Sequence, residues 1–223
     1  MLSSPVMTLN GVCLTLSALT GPVSILKDIN LNVHEGESLA ITGPSGSGKT
    51  SLISVAAGLE RVSSGTVNLL GQDISTMNED ALARLRRGRV GFVFQSFHLL
   101  PNMTAQENVA APLEIMHNRE ALGLASEALS QMGLGDRLSH YPAQLSGGER
   151  QRVAVARAMA TNPKIVFADE PTGNLDSKAG AMVADLIFET CAAQGAALVL
   201  VTHDAALAKR ASRTIIMQDG RIL

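Results

Sequence analysis

The chain has 223 residues, a formal net charge of −2 and 46% hydrophobic residues. This composition predicts one large domain, or one domain with a subdomain, around a full hydrophobic core. The slightly acidic balance gives no support for a nucleic-acid partner. The two cysteines, Cys13 and Cys191, match no metal-ligand spacing and suit a reducing compartment.

Two further properties concern targeting. The first ten residues lack the basic and apolar regions of a secretory signal. No stretch approaches the roughly 20 apolar residues that a membrane helix needs. We therefore expect a soluble, cytosolic chain that reaches a membrane only through a partner protein.

The predicted elements fall into three blocks. The first is rich in strands, with strands at 6–16, 23–33, 38–42, 66–70 and 90–94 and helices at 49–57 and 78–87. The second, from Gln95 to about Ala160, is helical, with capping boxes at Thr104–Glu107 and Ser146–Glu149. The third alternates again, with strands at 164–168 and 196–202, a helix at 177–194 and a closing hairpin from 213. Alternation predicts a parallel sheet covered by helices, with the block of about 95–160 inserted as a helical subdomain.

A phosphate-binding loop lies between the strand 38–42 and the helix 49–57. It fits G-x-x-x-x-G-K-[ST] with the residues Gly43, Pro44, Ser45, Gly46, Ser47, Gly48, Lys49 and Thr50. Its glycines let backbone N–H groups point at phosphate oxygens. Lys49 can reach the β- and γ-phosphates, and the Thr50 hydroxyl can bind Mg²⁺. The alternative, a Gly/Ser-rich turn, leaves the strand–loop–helix context unexplained.

Polar residues follow three further apolar strands. Asp169 and Glu170 end the strand 164–168, where Asp169 can hold the metal and Glu170 can polarise an attacking water. His203 follows the strand 196–202 and could hydrogen-bond a γ-phosphate, or be an ordinary helix-start residue. Gln95 follows the strand 90–94, where its amide could reach Mg²⁺ or water, or cap a loop.

The stretch Leu145-Ser146-Gly147-Gly148-Glu149 predicts a second anion site. It is a capped helix start with two glycines, each of which costs a helix about 1 kcal/mol relative to alanine. A helix that accepts this cost in its first turn usually needs bare backbone there for close approach. The chain thus has two predicted phosphate-contacting elements, about a hundred residues apart.

With these motifs the whole chain resembles the nucleotide-binding subunit of an ATP-binding-cassette (ABC) transporter. The signature LSGGE at 145–149 separates this family from other phosphate-loop proteins. The resemblance implies an α/β fold over 1–223: a phosphate-loop NTPase (RecA-like) core, an N-terminal antiparallel β subdomain and an inserted helical subdomain. The segments 91–101, 105–109, 141–146 and 168–176 resemble the lipoprotein-release and macrolide-export group.

The resemblance also assigns residues. It implies catalytic roles for Lys49, Glu170 and His203, and Mg²⁺ ligands at Thr50, Gln95 and Asp169. The residues implied to contact ATP are Gly43, Pro44, Ser45, Gly46, Ser47, Gly48, Lys49, Thr50, Ser51, Gln95, Ser146, Gly147, Gly148, Glu149 and Asp176, the last within the D-loop Asn174-Leu175-Asp176.

The resemblance implies two partners. One is a second copy of the chain, in a head-to-tail dimer in which each ATP lies between the phosphate loop of one copy and the signature of the other. The other is an integral membrane permease, which would place the chain in the cytoplasm at the inner face of the membrane. Residues Phe97, Leu99, Leu100 and Met103 are a candidate groove for that permease, or plain core.

Two other functions are weighed against this one. A soluble ABC ATPase acting on nucleic acid or ribosomes would normally need two cassettes or a long coiled coil, and 223 residues hold neither. A regulator without turnover is disfavoured by the presence of Glu170 and His203.

One position departs from the family, which stacks adenine on an aromatic residue near Leu16. No aromatic residue occurs before Phe92, so we expect an aliphatic contact to the base.

Overall fold

The computed structural model describes residues 5–18 and 21–223. Residues 1–4, part of the stretch for which no secretory signal is expected, lie outside the described residues. The elements in chain order are β1 (Pro5–Ala18), β2 (Gly21–His34), β3 (Ser38–Thr42), α1 (Lys49–Ala56), β4 (Ser64–Leu69), β5 (Gln72–Asp73), α2 (Glu79–Arg86), β6 (Val90–Phe94), α3 (Ala105–Ile115), α4 (Ala121–Gln131), α5 (Gly147–Met159), β7 (Ile165–Asp169), α6 (Ser177–Gln194), β8 (Ala197–Val201), α7 (Ala205–Ala208), β9 (Arg213–Gln218) and β10 (Arg221–Ile222). Single 3₁₀ turns lie at Gly135–Arg137 and Pro142–Gln144. The chain forms two compact units, of residues 1–86 with 197–223 and of residues 87–196.

The first unit contains an antiparallel sheet in the order β2-β1-β4-β5. Its two long strands alternate buried and exposed residues, because one face packs on the core and the other faces water. The pair Leu9 and Leu31 is buried at the centre of this register. This is the predicted N-terminal antiparallel subdomain.

The first unit also holds the parallel strands that carry the phosphate loop. Strand β3 pairs in parallel with both β8 and β9, and β10 returns antiparallel to β9. Every residue of β8 is buried, as expected of a strand covered on both faces. Helix α1 begins at the end of β3, so the loop between them lies at the carboxyl edge of these strands.

The second unit combines two parallel strands with four helices. Strands β6 and β7 pair in register from Val90 with Ile165 to Phe94 with Asp169. Helix α5 packs against α3, α4, α6 and β6, and its Val153, Ala154 and Ala156 are fully buried. The signature helix is therefore a core element of this unit, and its N-terminus reaches the surface.

The predicted elements are all present, with ends that shift by at most two residues. Strand β6 and helix α6 coincide with the predicted segments, and the predicted fold class, an ABC-type α/β fold, is confirmed below by solved structures. Two short elements, β5 and α7, were not predicted. No helix in the described part of the chain is long and apolar enough to cross a membrane.

Candidate functional site

The phosphate loop opens directly onto the N-terminus of α1. Lys49 is the first helical residue, and the N-cap Gly48 is left-handed (φ 99°) and makes no side-chain capping hydrogen bond. The first N–H groups of a helix have no partner within the helix. No capping side chain takes them here, so this end of α1 presents backbone donors and a partial positive charge to an anion.

Gly43 fixes the start of the loop. Its φ is 140°, and a Cβ at this position would lie 2.1 Å from the carbonyl oxygen of Met217 in β9. Only glycine therefore allows the chain to leave β3 this close to β9. The requirement for glycine here comes from the fold itself.

Lys49 and Ser47 give the loop its remaining polar groups. The Lys49 Nζ donates to the carbonyls of Gly43 (2.9 Å) and Pro44 (2.8 Å), which leaves the third donor of the ammonium group for a ligand. The Ser47 side chain is 3% exposed, and its Oγ makes no hydrogen bond within the described residues. Bare N–H groups, an ammonium and a buried hydroxyl fit a phosphate chain.

His203 lies at the same strand edge as the phosphate loop. Strands β3 and β8 are parallel neighbours, with Ile41 paired to Val201, and the Thr202 N–H donates to the Ile41 carbonyl (3.2 Å). Gly43 and His203 each follow within two residues of this pair. The first unit therefore brings these two predicted elements together.

The second unit brings Gln95 and the carboxylates together in the same way. Phe94 is paired with Asp169, so Gln95 and Glu170 follow at one edge of the β6–β7 pair. Four residues of β7 are fully buried, and Asp169 and Glu170 are half-buried where it ends. Glu170 has a left-handed backbone (φ 47°), a strained conformation of the kind that clusters at functional sites.

Gln95 is tied to Asn174 by a reciprocal pair of amide hydrogen bonds. The Gln95 Nε2 donates to Asn174 Oδ1 (3.2 Å), and the Asn174 Nδ2 donates to the Gln95 carbonyl (3.0 Å). Gly173 makes room for this pair, since a Cβ there would lie 2.9 Å from Gln95 Nε2. The resemblance assigns Asn174 to the D-loop and predicts no contact with Gln95. Its contact with Gln95 spans 79 positions, and no local pattern reports it.

The signature helix α5 begins with the predicted capping box. The Ser146 Oγ accepts from the Glu149 N–H (3.3 Å), and the Glu149 Oε2 accepts from the Ser146 N–H (2.8 Å). The backbone hydrogen bond from Ser146, followed by that from its side chain, lowers the pKa of Glu149 below its ordinary value of 4.5, and Arg137 Nε adds an ion pair at 3.3 Å. This helix end is stabilised by the chain's own side chains.

A cavity of about 400 Å³ separates this helix end from the start of α6. Asp176 lies in its wall and caps α6, accepting from the N–H groups of Lys178 and Ala179. The signature part of the wall consists of Ser146, Gly147, Gly148 and Glu149. The second unit therefore brings the predicted signature and D-loop residues to one cavity.

The predicted Mg²⁺ ligands have suitable chemistry. Thr50 offers an exposed hydroxyl in the first unit, and Gln95 and Asp169 offer an amide and a carboxylate in the second. Oxygen donors are what Mg²⁺ prefers, and nucleotide sites usually hold it through one or two carboxylates together with substrate phosphates. Among the described residues there is no cluster of three or more His, Cys, Asp and Glu side chains that could hold a metal ion without substrate phosphates.

The four candidate groove residues lie in the loop that begins at Gln95, which we call the Gln95 loop (residues 95–103). Leu100 is 43% exposed, whereas Phe97, Leu99 and Met103 are half-buried. The fully buried Asn108 holds the end of this loop from α3: its amide donates to the carbonyls of Leu100, Met103 and Thr104, and its Oδ1 accepts from the Leu100 N–H. The end of the loop is therefore hydrogen-bonded to α3, and Leu100 is the most exposed of the four candidate groove residues.

Leu16, the position expected to face the base, lies on the exposed part of β1. It is 41% exposed and pairs directly with Val23 of β2, which is 43% exposed. An exposed aliphatic pair therefore stands where the family places an aromatic ring.

Comparison with known proteins identifies the family. The model of the ABC transporter family matches residues 26–173. The chain is 46% identical over 223 residues to a protein of Caulobacter vibrioides called lipoprotein-releasing system ATP-binding protein LolD 2, covering 99% of this chain and 98% of the relative. It is 49% identical over 202 residues to the uncharacterized ABC transporter ATP-binding protein YbbA of Escherichia coli, covering 90% and 89%.

Solved structures agree. The dimeric post-hydrolysis structure of the ATP-binding cassette MJ0796, bound to ADP and phosphate, matches with a TM-score of 0.90 and 39% identity, covering 97% of this chain and 96% of that one. The chain therefore belongs to the ABC transporter family, as an ATP-binding subunit that hydrolyses ATP. Relatives named LolD and relatives named YbbA both match at 46 to 50% identity.

Proposed function

We propose that this ATPase works as a head-to-tail dimer that drives a membrane permease of the lipoprotein-release type. The observation that carries the proposal is the pair of prepared helix N-termini, at Lys49 of α1 and at Ser146 of α5. A relative named for lipoprotein release matches along 99% of the chain, and a cassette of the same fold forms a dimer.

Each residue set has a proposed role at the nucleotide. The loop Gly43–Thr50, with Ser51, binds the phosphates through backbone N–H groups and the Lys49 ammonium. Glu170 accepts a proton from the attacking water, and His203 orients the γ-phosphate or that water. By the resemblance, Thr50, Gln95 and Asp169 would hold Mg²⁺, which would neutralise charge on the phosphates.

The second copy completes each site. Ser146, Gly147, Gly148 and Glu149 of one copy contact the ATP that the phosphate loop of the other copy binds, and Asp176 lies beside them. A helix that begins with two glycines leaves its first turn open to such an approach, and the cavity beside it gives a ligand room.

The permease partner places the protein at the inner face of the cell membrane. The Gln95 loop, with its exposed Leu100, is the proposed contact for the permease. The net charge of −2 speaks against a nucleic-acid partner, and the relatives described above do not favour a role on ribosomes.

The experiment that tests this function is Glu170→Gln. Losing a general base costs about 10²- to 10⁴-fold in rate, while the phosphate contacts remain. We expect the variant to bind ATP, to hydrolyse it at least a hundredfold more slowly and to accumulate as an ATP-bound dimer in size-exclusion chromatography. Glu127→Gln, an exposed glutamate of α4, is the control and should hydrolyse ATP like the parent. A Glu170→Gln protein with the parental rate would contradict the assignment.

A further inference from the structure

Arg157 of the signature helix α5 makes a two-pronged contact with the Gln95 loop. Its Nη1 donates to the carbonyl of His98 (2.7 Å), and its Nη2 donates to the carbonyl of Phe97 (3.0 Å). One planar guanidinium therefore binds two successive carbonyl groups. A lysine has a single donor nitrogen, so it cannot place a separate nitrogen on each carbonyl as the planar guanidinium does.

The two residues that accept these bonds have an unusual backbone. Phe97 (φ 60°) and His98 (φ 48°) are both left-handed, a conformation that a bulky residue adopts only when its surroundings impose it. Two such residues in succession are costly for any loop. The fork of Arg157 binds the carbonyls that this conformation presents, and so it stabilises the strained form over the relaxed one.

Other side chains hold the same short segment. Gln151 of α5 donates from Nε2 to the Phe94 carbonyl (3.3 Å), immediately before Gln95. The guanidinium of Arg150, two helical turns from Arg157, lies 5.2 Å from the centre of the Phe97 ring. The His98 ring stacks on Phe94 at 4.7 Å. Side chains of α5 therefore contact the residues both before and after Gln95.

The charge of Arg157 is balanced by dipoles alone. It makes no ion pair with a carboxylate in the part of the chain that the structure describes. Burial accordingly lowers the pKa of its guanidinium, although an arginine stays protonated. A half-buried cation without an acidic partner is costly, so the contact with the loop is a specific arrangement.

We propose that Arg157 is a positioning residue for Gln95: its fork fixes Phe97 and His98 in their left-handed conformations and thereby sets the place from which Gln95 projects. The inference rests on the proposed function, since it gives Gln95 a role in hydrolysis. It also connects that role to the helix that begins at the signature. A movement of α5 is then passed to Gln95 through two hydrogen bonds.

The decisive test is a double-mutant cycle. The values of kcat and KM for ATP are measured for the parent, Arg157→Lys, Gln95→Ala and the double variant. Arg157→Gln, which keeps a planar donor, is measured as a second replacement at this position. We expect Arg157→Lys to lower kcat about 10- to 100-fold with KM for ATP unchanged, as a small misplacement of a catalytic group does. In the Gln95→Ala protein the same replacement should cost nothing further. An equal loss in both backgrounds, or a loss in neither, would overturn the inference.

Amide hydrogen exchange without nucleotide supplies a readout that is independent of turnover. Arg157→Lys should speed exchange in the peptide of residues 95–103 by about tenfold, because the loop opens more often. The matched control is Gln194→Met, which removes a hydrogen bond from Gln194 Nε2 to the Met159 carbonyl of α5 and touches no part of the Gln95 loop. Its loop exchange should equal that of the parent.

Unchanged loop exchange in Arg157→Lys would overturn the inference by itself. A parent protein without ATPase activity would overturn the proposed function instead. In that case the exchange comparison still decides whether Arg157 holds the loop.

Discussion

The N-termini of α1 and α5 are both prepared for an anion, but in opposite ways. At α1 the N-cap is a left-handed glycine without a capping side chain. At α5 the N-cap is Ser146, and its capping box with Glu149 is complete. One helix end leaves its N–H groups to a ligand, and the other satisfies two of them within its own chain.

The difference indicates what each end requires. The loop before α1 has a strained backbone, and its lysine binds two carbonyl groups of the loop itself. Contacts within the first unit therefore already restrict the sequence of this loop. The start of α5 is stable as it stands. A Cβ at Gly148 would come within 3.1 Å of the Ala179 Cβ, whereas a Cβ at Gly147 would meet only Leu175 Cδ2, at an ordinary 3.6 Å. Gly147 therefore answers no steric demand from its own unit, which fits a site completed by another copy.

A first experiment separates the two helix ends onto different chains. Lys49→Ala should abolish the function of the α1 end, and Gly148→Asp that of the α5 end, so each homodimer should be inactive. In a mixed dimer one site carries both defects and the other carries neither. Its ATPase rate should exceed that of either homodimer by at least about tenfold, a difference of about 1.4 kcal/mol in barrier height. Mixed dimers shown to form, yet no more active than the homodimers, would refute a shared site.

The glycines of the two ends should respond differently to a methyl group. Gly43→Ala forces a Cβ against the Met217 carbonyl and should lower the free energy of unfolding by about 3 kcal/mol or more. Gly147→Ala meets only Leu175 Cδ2, at an ordinary 3.6 Å, and should raise it by up to about 1 kcal/mol because alanine favours helix. The same variant should nevertheless hydrolyse ATP more slowly, since the bare backbone is lost.

Urea denaturation and ATPase rates measure both effects. Gly123→Ala, at a position of α4 with open space around it, is the control: it should stabilise the protein and leave hydrolysis unchanged. A Gly147→Ala protein with unchanged hydrolysis would show that the α5 end needs no bare backbone.

A smaller effect concerns the base, which neither helix end contacts in the proposed complex. Leu16→Tyr should tighten ATP binding by about 1 kcal/mol, at the lower end of what stacking contributes in nucleic-acid complexes. Titrations with ATP and GTP measure it, and Leu59→Tyr, another exposed leucine of the first unit, is the control. A parent that already prefers ATP over GTP by about a hundredfold would show that a different residue recognises the base.

The smallest expected effect is a pH-dependent contribution to the free energy of unfolding, which comes from the Glu149 charge at the start of α5. The pKa of Glu149 is lowered in the fold, so its charge stabilises the folded state above about pH 4.5, and this contribution is lost as the pH falls through the folded value. Glu149→Gln keeps a capping side chain but no charge. The advantage of the parent in thermal melting should be about a few tenths of a kcal/mol at pH 7 and should vanish once the pH is low enough to protonate the carboxylate in the folded protein. An advantage that does not change with pH would show that the carboxylate charge contributes nothing.

Local signals predicted most of the fold and supplied the candidate members of the site. The capping boxes at Thr104 and Ser146 were found because the interaction lies within four residues. Strand β6 was found because its apolar run ends sharply at Gln95. The short elements β5 and α7 were missed, since two and four residues carry no periodicity.

The contacts that orient the site could not be predicted. The amide pair of Gln95 and Asn174 and the fork of Arg157 join residues about 60 to 80 positions apart. A glutamine side chain can contact either a metal ion or the amide of an asparagine. Which of the two it contacts depends on its position in the folded chain. Sequence patterns therefore supply candidate residues, and the fold decides which neighbours hold them.

The buried amide of Asn108 limits which amino acids this position can carry. It supplies donors to three carbonyls and an acceptor to one N–H group in a single side chain. An aspartate has the same shape but would turn a carboxylate toward three carbonyl oxygens, so spontaneous deamidation here would damage the loop as severely as a mutation. Glutamine has the right groups on a stem that is one carbon too long. Among the twenty amino acids, asparagine alone meets the requirement.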